Sequence, residues 1–262
     1  VALAGGVIVP RRIDPLPPAG EKAAYVRQMF ARISRRYDLM NRLMTLGRDR
    51  AWRRYTVGQA LAAPPGSGQA RRVLDVATGT GDLALEVLRQ RPDAQVVGLD
   101  FVPEMLALAR EKSSRLVASP ALLAGDALHL PFPGESFDAV VTGFALRNVT
   151  DIPAAFAEMA RLTRPGGRVA CLEIAKPRSA LFRPLFEVYF YRLVPLIGSL
   201  VSGERAAYTY LPHSLTAFLT PDEIAEVMRR TGWQDVCYRR LMLGTVAVHV
   251  GTRCEDGTGQ AL

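Results

Sequence analysis

An α/β fold, a mostly parallel sheet with helices on both faces, is what this sequence predicts, and three observations predict it. From Arg72 to Ile174, short apolar runs rich in β-branched residues alternate with helical patterns. The first run, "VLDVATGTGDLALEV" (Val73–Val87), passes through a glycine-rich turn straight into a helix, as strands do where open parallel sheets bind ligands. Composition agrees: 262 residues, 49% hydrophobic and 22% charged, suffice for one large core.

Taken in order, residues 1–21 are expected to form a flexible N-terminal segment. Its opening "VALAGGVIVPRR" is not read as a secretion signal, because the arginines follow the apolar run instead of preceding it. Residues 22–253 read as a single domain that begins with N-terminal helices over 22–61. There apolar residues recur at helical spacing, and Gly47 divides the run. "AAPPGSGQA" (62–70) is a loop. Strands are expected at Arg72–Ala77, Gln95–Asp100, Ala121–Gly125, Ala139–Phe144 and Arg168–Ile174, and helices at Asp82–Arg91, Pro103–Lys112 and Ile152–Thr163. Residues 177–215 are too long for a strand–helix connection and too apolar for a solvated loop. They read as a helical insertion whose apolar face, Phe182, Leu185, Phe186, Tyr189 and Phe190 among it, either joins the core or closes as a lid over an apolar substrate. A helix at Pro221–Thr231 precedes two strands, Val236–Leu241 and Thr245–Thr252, and 254–262 is a flexible tail.

Three cysteines and three histidines lie far apart without metal-ligand spacing, so neither a metal site nor a disulfide framework is expected. No stretch of about twenty uncharged apolar residues marks a membrane span, and a cytoplasmic protein is expected. The net charge of +8 is concentrated in the first fifth of the chain, in Arg35, Arg36, Arg53 and Arg54 among others. Such a patch is either a solvated helical face or a surface for anionic partners, whether nucleic acid, phosphorylated ligands or an anionic membrane.

The glycine turn fits the loose dinucleotide pattern G-x-G-x-x-A, so NAD must be weighed. Gly79, Thr80 and Gly81 let backbone approach a ligand, and Gly143 ends a neighbouring strand. Carboxylates flank the same crevice: Asp75 in the first strand, Asp82 capping the next helix, Asp100 ending the second strand, Asp126 after the third. Asp100 suits ribose hydroxyls in either cofactor. Asp82 would oppose a pyrophosphate at the helix end that attracts anions, whereas S-adenosyl-L-methionine is cationic and has no phosphate. The acids favour S-adenosyl-L-methionine.

The ordered set "DVATGTGD", "GLD" and "GDALHLPFPGESFDAVV" resembles the class I S-adenosylmethionine-dependent methyltransferases. The resemblance implies a Rossmann-like seven-stranded sheet with an antiparallel last strand. It also implies that Gly79, Thr80 and Gly81 meet the methionine part, Asp100 the ribose, and Asp126 with Ala127 the adenine. Within that class, "YDLMNRLMTLGRDRAWRR", "GFALRNVTD", "RPGGRVACLEIAKP" and "YTYLPHSL" resemble the ubiquinone/menaquinone biosynthesis C-methyltransferases. That likeness implies a prenylated quinol acceptor, with demethylmenaquinol favoured. Where this family commonly has serine, histidine and serine, the chain has Thr45, Asp49 and Ala175, and Asp49 is assigned no catalytic role.

Arg147 and Asn148 directly follow the fourth strand, which places them beside the methyl group. Arg147 is the candidate for stabilising a developing phenolate and Asn148 for orienting it; the alternative for Arg147 is a surface ion pair. Tyr37, Asn41, Tyr208 and Tyr210 are candidates for the acceptor pocket. His129 reads as a solvent-facing loop residue and His213 as a weak proton carrier. Nucleic acid is not expected as a partner, since "GFALRN" lacks the proline–aromatic motif of base N-methylation and Cys171 lacks the proline of cytosine C5 enzymes. Reversible contact with an anionic membrane surface is expected, a homodimer remains open, and so does C- or O-methylation of another aromatic small molecule.

Overall fold

The computed structural model describes residues 20–62, 71–202, 204–216 and 218–254. The segments 1–21, 62–70 and 254–262 therefore lie outside the described residues except at their edges. Seven strands form one sheet: β1 (Arg72–Val76), β2 (Gln95–Asp100), β3 (Ala121–Ala124), β4 (Phe137–Gly143), β5 (Thr163–Ile174), β6 (Trp233–Leu241) and β7 (Val246–Arg253). Their order is β3-β2-β1-β4-β5-β7-β6. The first five are parallel, and β7 inserts antiparallel between β5 and β6. Strands β4 to β6 begin earlier than the sequence pattern shows. Phe137 pairs with Thr163 ahead of an irregularity that passes over Gly166 and Gly167, and β6 starts at Trp233 before a second one. Turn-type residues inside these strands masked their beginnings.

Alternation along the strands sorts the core into two layers. Leu74, Val140 and Val169 face Phe156, Met159 and Trp233, while Val73, Val141 and Ala170 face Val57, Ala84 and Val87. The helices are α1 (Lys22–Thr45), α2 (Asp49–Leu61), α3 (Asp82–Gln90), α4 (Pro103–Ser113), α5 (Ile152–Leu162), α6 (Arg183–Val188), α7 (Val194–Ser202), α8 (Arg205–Thr216) and α9 (Pro221–Arg230). Helix α1 stops where Leu46 and Gly47 turn left-handed (φ 51° and 73°), and the Gly47 N–H donates back to the Arg42 carbonyl at 2.9 Å. The insertion is helical, as its composition requires. A π turn, Tyr189–Leu193, joins α6 to α7 without a break.

Strand order reverses between β1 and β4, so a crevice opens at their carboxyl ends. Helix α1 packs on α4, α7 and α8 and roofs that crevice with Phe30 and Tyr37.

Candidate active site

Backbone at the switch point is left-handed at non-glycine positions, Ala77 (φ 55°) and Phe144 (φ 58°), as well as at Gly79 and Gly81. Each non-glycine residue so held costs about 1–3 kcal/mol. Phe144 is kept there by its N–H donating to the Leu172 carbonyl at 2.7 Å.

Asp100 organises the turn. Its carboxylate accepts from the Gly79 N–H at 2.7 Å and the Val102 N–H at 2.9 Å. Burial pushes its pKa up, and those N–H groups oppose the shift. Asp75 lies beneath the turn, fully buried, accepting from the Thr78 hydroxyl at 2.6 Å and the Ala84 N–H at 2.9 Å. Burial pushes its carboxyl up to about 7. Because Ala84 lies in the first turn of α3, Asp75 occupies the place a phosphate takes at an open helix N-terminus.

Asp82 neither caps α3 nor faces the crevice, contrary to the sequence pattern. Gly81, not Asp82, is the N-cap of α3. The Asp82 carboxylate faces Lys112 at 2.7 Å and Arg53 at 3.3 Å, not the ligand crevice. Burial raises its pKa, but Arg53 and Lys112 outweigh that and hold it below the usual carboxylate value. Thr80 belongs to the same network: its hydroxyl donates to Asp38 at 2.7 Å and accepts from Lys112 at 2.8 Å.

Two cavities occupy the crevice. The smaller, about 110 Å³, is lined by Gly79, Asp100, Asp126, Ala127 and Gly143, with Phe101, Val102 and Leu128 beside them. The larger, about 420 Å³, is lined by Tyr37, Asn41, Arg147, Asn148, Tyr208 and Tyr210. Asp75, Thr80 and Gly81 stand behind the smaller cavity and line neither, so they shape the turn without facing its contents. Phe30, Tyr37, Phe144 and Asn148 line both, forming one shared wall. Most of the rest of the larger cavity's wall is apolar, with Ile33, Phe182, Phe186, Phe190 and Val194, and Thr45, Asp49, Arg53 and Thr245 add polar groups. Among the described residues, Arg147 Nε, Asn148 Oδ1, Asn41 Nδ2 and the Tyr210 hydroxyl, all on residues of its lining, are buried polar atoms without a hydrogen-bond partner. Each orphan costs about 1–3 kcal/mol unless a ligand satisfies it.

Arg147 is buried, against the surface-pair alternative, and its guanidinium lies 3.4 Å from Glu173. Glu173 also accepts from the Leu146 N–H at 2.7 Å. Burial pushes the Glu173 carboxyl up while Arg147 pulls it down. Asp49, given no role from sequence, is buried in the wall of the larger cavity, where it receives the Thr45 hydroxyl at 3.0 Å and the Arg53 guanidinium. Arg53 is consequently not part of a surface patch. His129 is exposed and His213 partly buried, and both lie outside the two cavities.

Sequence reasoning missed Phe30, Phe144, Glu173 and the Arg53–Asp82–Lys112–Asp38 network. Glu173 had a signal, a lone acid inside an apolar strand pattern, and Asp49 with Arg53 had the (i, i+4) spacing of a helical ion pair. Phe144 had none, since nothing in a phenylalanine announces positive φ.

The smaller cavity fits S-adenosyl-L-methionine. It offers a carboxylate for ribose hydroxyls, apolar side chains for a purine, and a glycine backbone, while the helix N-terminus that would hold a pyrophosphate is taken by Asp75.

Comparison with known proteins agrees. The model of the ubiE/COQ5 methyltransferase family matches residues 19–253. The demethylmenaquinone methyltransferase of Roseiflexus castenholzii is 52% identical over 238 residues, covering 91% of this chain and 97% of that protein. The ubiquinone/menaquinone biosynthesis C-methyltransferase UbiE of Desulfotalea psychrophila is 41% identical, covering 88% and 92%. Among solved structures, the [4+2]-cyclase SpnF superposes with a TM-score of 0.65 at 17% identity, covering 92% of this chain and 98% of that one. At that identity the likeness concerns the fold.

Proposed function

The chain belongs to the ubiE/COQ5 methyltransferase family, and from that premise we propose that it C-methylates the ring of a prenylated quinol, converting demethylmenaquinol into menaquinol. It is an S-adenosyl-L-methionine-dependent methyltransferase. When bound, S-adenosyl-L-methionine supplies an electrophilic methyl group; this chain's residues supply the rest. The observation that carries the reading is the wall of Phe30, Tyr37, Phe144 and Asn148 shared by a cofactor-shaped cavity and a larger, mostly apolar one with the orphaned polar atoms named above.

A quinol ring is apolar with a hydroxyl at either end, which is what such a cavity matches. A ring carbon becomes nucleophilic as the neighbouring hydroxyl releases its proton to solvent at the cavity mouth. That carbon takes the methyl group as the sulfur–methyl bond breaks, then releases its own hydrogen as a proton so that the ring regains aromaticity. The by-product is S-adenosylhomocysteine. Arg147, fixed by Glu173, donates from Nε to the deprotonated oxygen and holds it as phenolate, and Asn148 Oδ1 orients the ring at the shared wall. Asn41 and Tyr210 receive the other oxygen, with Tyr37 and Tyr208 closing the pocket. Gly79, Asp100, Asp126 and Ala127 hold the cofactor. Apolar walls exclude water, and orientation contributes about 7–11 kcal/mol of barrier lowering. The enzyme works in the cytoplasm in reversible contact with an anionic membrane surface, and nucleic acid is not its partner.

The test is transfer of labelled methyl from S-adenosyl-L-methionine to short-tailed demethylmenaquinol by the purified protein. Label on a ring carbon is the expected result. Arg147→Ala is expected to lower turnover about 10²–10³-fold, the usual effect of losing one charge stabiliser, with cofactor affinity nearly unchanged. Label found on oxygen, or only on other aromatic acceptors, favours the second reading, an aromatic C- or O-methyltransferase of different substrate.

A further inference from the structure

We propose that the mouth of the larger cavity is a membrane-docking face. A stripe of exposed leucines on the continuous α6–α7 helix, joined by the α1–α2 turn and the β6–β7 hairpin, seats on an anionic bilayer so that the acceptor's tail passes from lipid into the cavity. The proposal rests on the quinol reading above and names the surface by which such a substrate arrives.

The rim of the cavity is apolar and turned outward. Leu46 (82% exposed), Leu185 (64%), Val188, Leu193 and Met242 all line the cavity and are all exposed. Beyond them the same surface continues. Leu181, Leu185, Val188, Leu193, Leu196 and Leu200 succeed one another at steps of four, three, five, three and four residues. The step of five spans the π turn at Tyr189–Leu193, whose extra residue per turn brings the two halves of the stripe back into line. On the opposite face of the same helix Phe186, Phe190 and Val194 are buried against the core. An 18-residue stretch within Arg183–Val201 has mean hydropathy 1.3 with only 22% of it buried. The whole run nonetheless carries Arg183, Glu187 and Arg192 and is pinned by its inner face. Such a helix lies in an interface with its apolar face in the acyl boundary and does not cross it.

Charge selects the kind of membrane. Arg42, Arg48 and Arg50 flank Leu46 in sequence, and Arg183 and Arg192 belong to the segment that carries the leucine stripe. All five are exposed, and none is in an ion pair among the described residues. Between Arg178 and Ser202 the one acid is Glu187. Exposed arginines on the same segments as an apolar rim are complementary to anionic headgroups above acyl chains. The surface differs from the one expected from sequence. Arg53 is buried, Arg54 lies by Glu86, and Arg36 donates to the Val201 carbonyl.

The test uses the full chain and vesicles of phosphatidylcholine with or without phosphatidylglycerol. Leu181→Gln, Leu196→Gln, Leu200→Gln and Leu243→Gln are combined; all four residues are exposed and none lines a cavity. The wild type is expected to sediment with anionic vesicles, less with neutral ones, and to retain part of its binding in high salt. The variant is expected to lose binding at least tenfold at either salt and to methylate a prenylated acceptor dissolved in vesicles at least tenfold more slowly. Its turnover of a short-tailed acceptor in solution is expected to stay within twofold, which also reports that it is folded. A variant that sediments like the wild type overturns the proposal. So does a dimer that the substitutions dissolve while vesicle binding persists, which gives the face to a second copy of this chain. Leucine-dependent docking without methylation of any quinol upholds the docking and overturns the substrate reading instead.

Discussion

Asp75 carries a carboxyl in a place that water does not reach, and its two donors meet only one of its oxygens, leaving Oδ1 without a partner among the described residues. The folded-state value near 7, against 3.8 for the free side chain, fixes the sign of its pH dependence. Between those values the folded protein holds a proton that the unfolded chain releases, so this residue's contribution to stability falls as pH rises from about 4 to 7 and stays low above. Asp75→Asn keeps an acceptor oxygen for Thr78 and Ala84 and removes the charge. The variant is expected to be more stable than the wild type at pH 8 and to lose most of that advantage at pH 5, as measured by urea unfolding at both. An advantage independent of pH would mean that Asp75 is not neutralised by burial. Sequence showed this acid and the glycines after it, but not their division of labour. A one-dimensional pattern says which side chains crowd a turn; only the pleats of β1 and β2 decide that Asp75 points beneath the turn while Asp100 lines the cavity.

Legibility at the scale of elements followed the same physics. Helices α3, α4, α5 and α9 were readable to within a residue or so because amphipathic spacing and capping residues such as Asp151 and Thr220 mark them. The insertion was readable as apolar and helical, yet whether it served core or lid was not, because its rows of aromatic and leucine residues suit both. Phe186 and Phe190 are buried against the core and wall the larger cavity, Leu185 and Leu193 sit at its rim, and Leu181, Leu196 and Leu200 are exposed beyond it. The insertion's two long helices meet at Gly198, where an added Cβ would fall 2.2 Å from Cγ of Tyr208. Gly198→Ala must therefore push α7 from α8. Overpacking of this kind costs about 1–3 kcal/mol, or about 2–12 °C in melting temperature for a chain of this size. Because Tyr208 lines the larger cavity, the acceptor KM is expected to rise while cofactor affinity, measured by calorimetry, stays unchanged. A variant with wild-type melting and KM would show that α7 and α8 separate freely.

For the molecule as a whole, α1 is the part on which both cavities depend. Phe30 and Tyr37 belong to the shared wall, and Asp38, one residue on, is clamped by Lys112 and Thr80 to the glycine turn. A wall with a ligand on either side cannot yield to one of them without changing what the other meets, and equilibrium thermodynamics then imposes an equality. Whatever factor the acceptor imposes on the dissociation constant of S-adenosylhomocysteine, S-adenosylhomocysteine must impose on that of the acceptor. Titrating each ligand with and without the other is expected to give one coupling factor, different from unity, that moves toward unity in Asp38→Ala, where α1 is released from the turn. The enzyme would then carry its order of arrival and departure in a single helix: a spent cofactor that loosens the wall also loosens the grip on the methylated ring, so the two products leave as partners rather than as strangers.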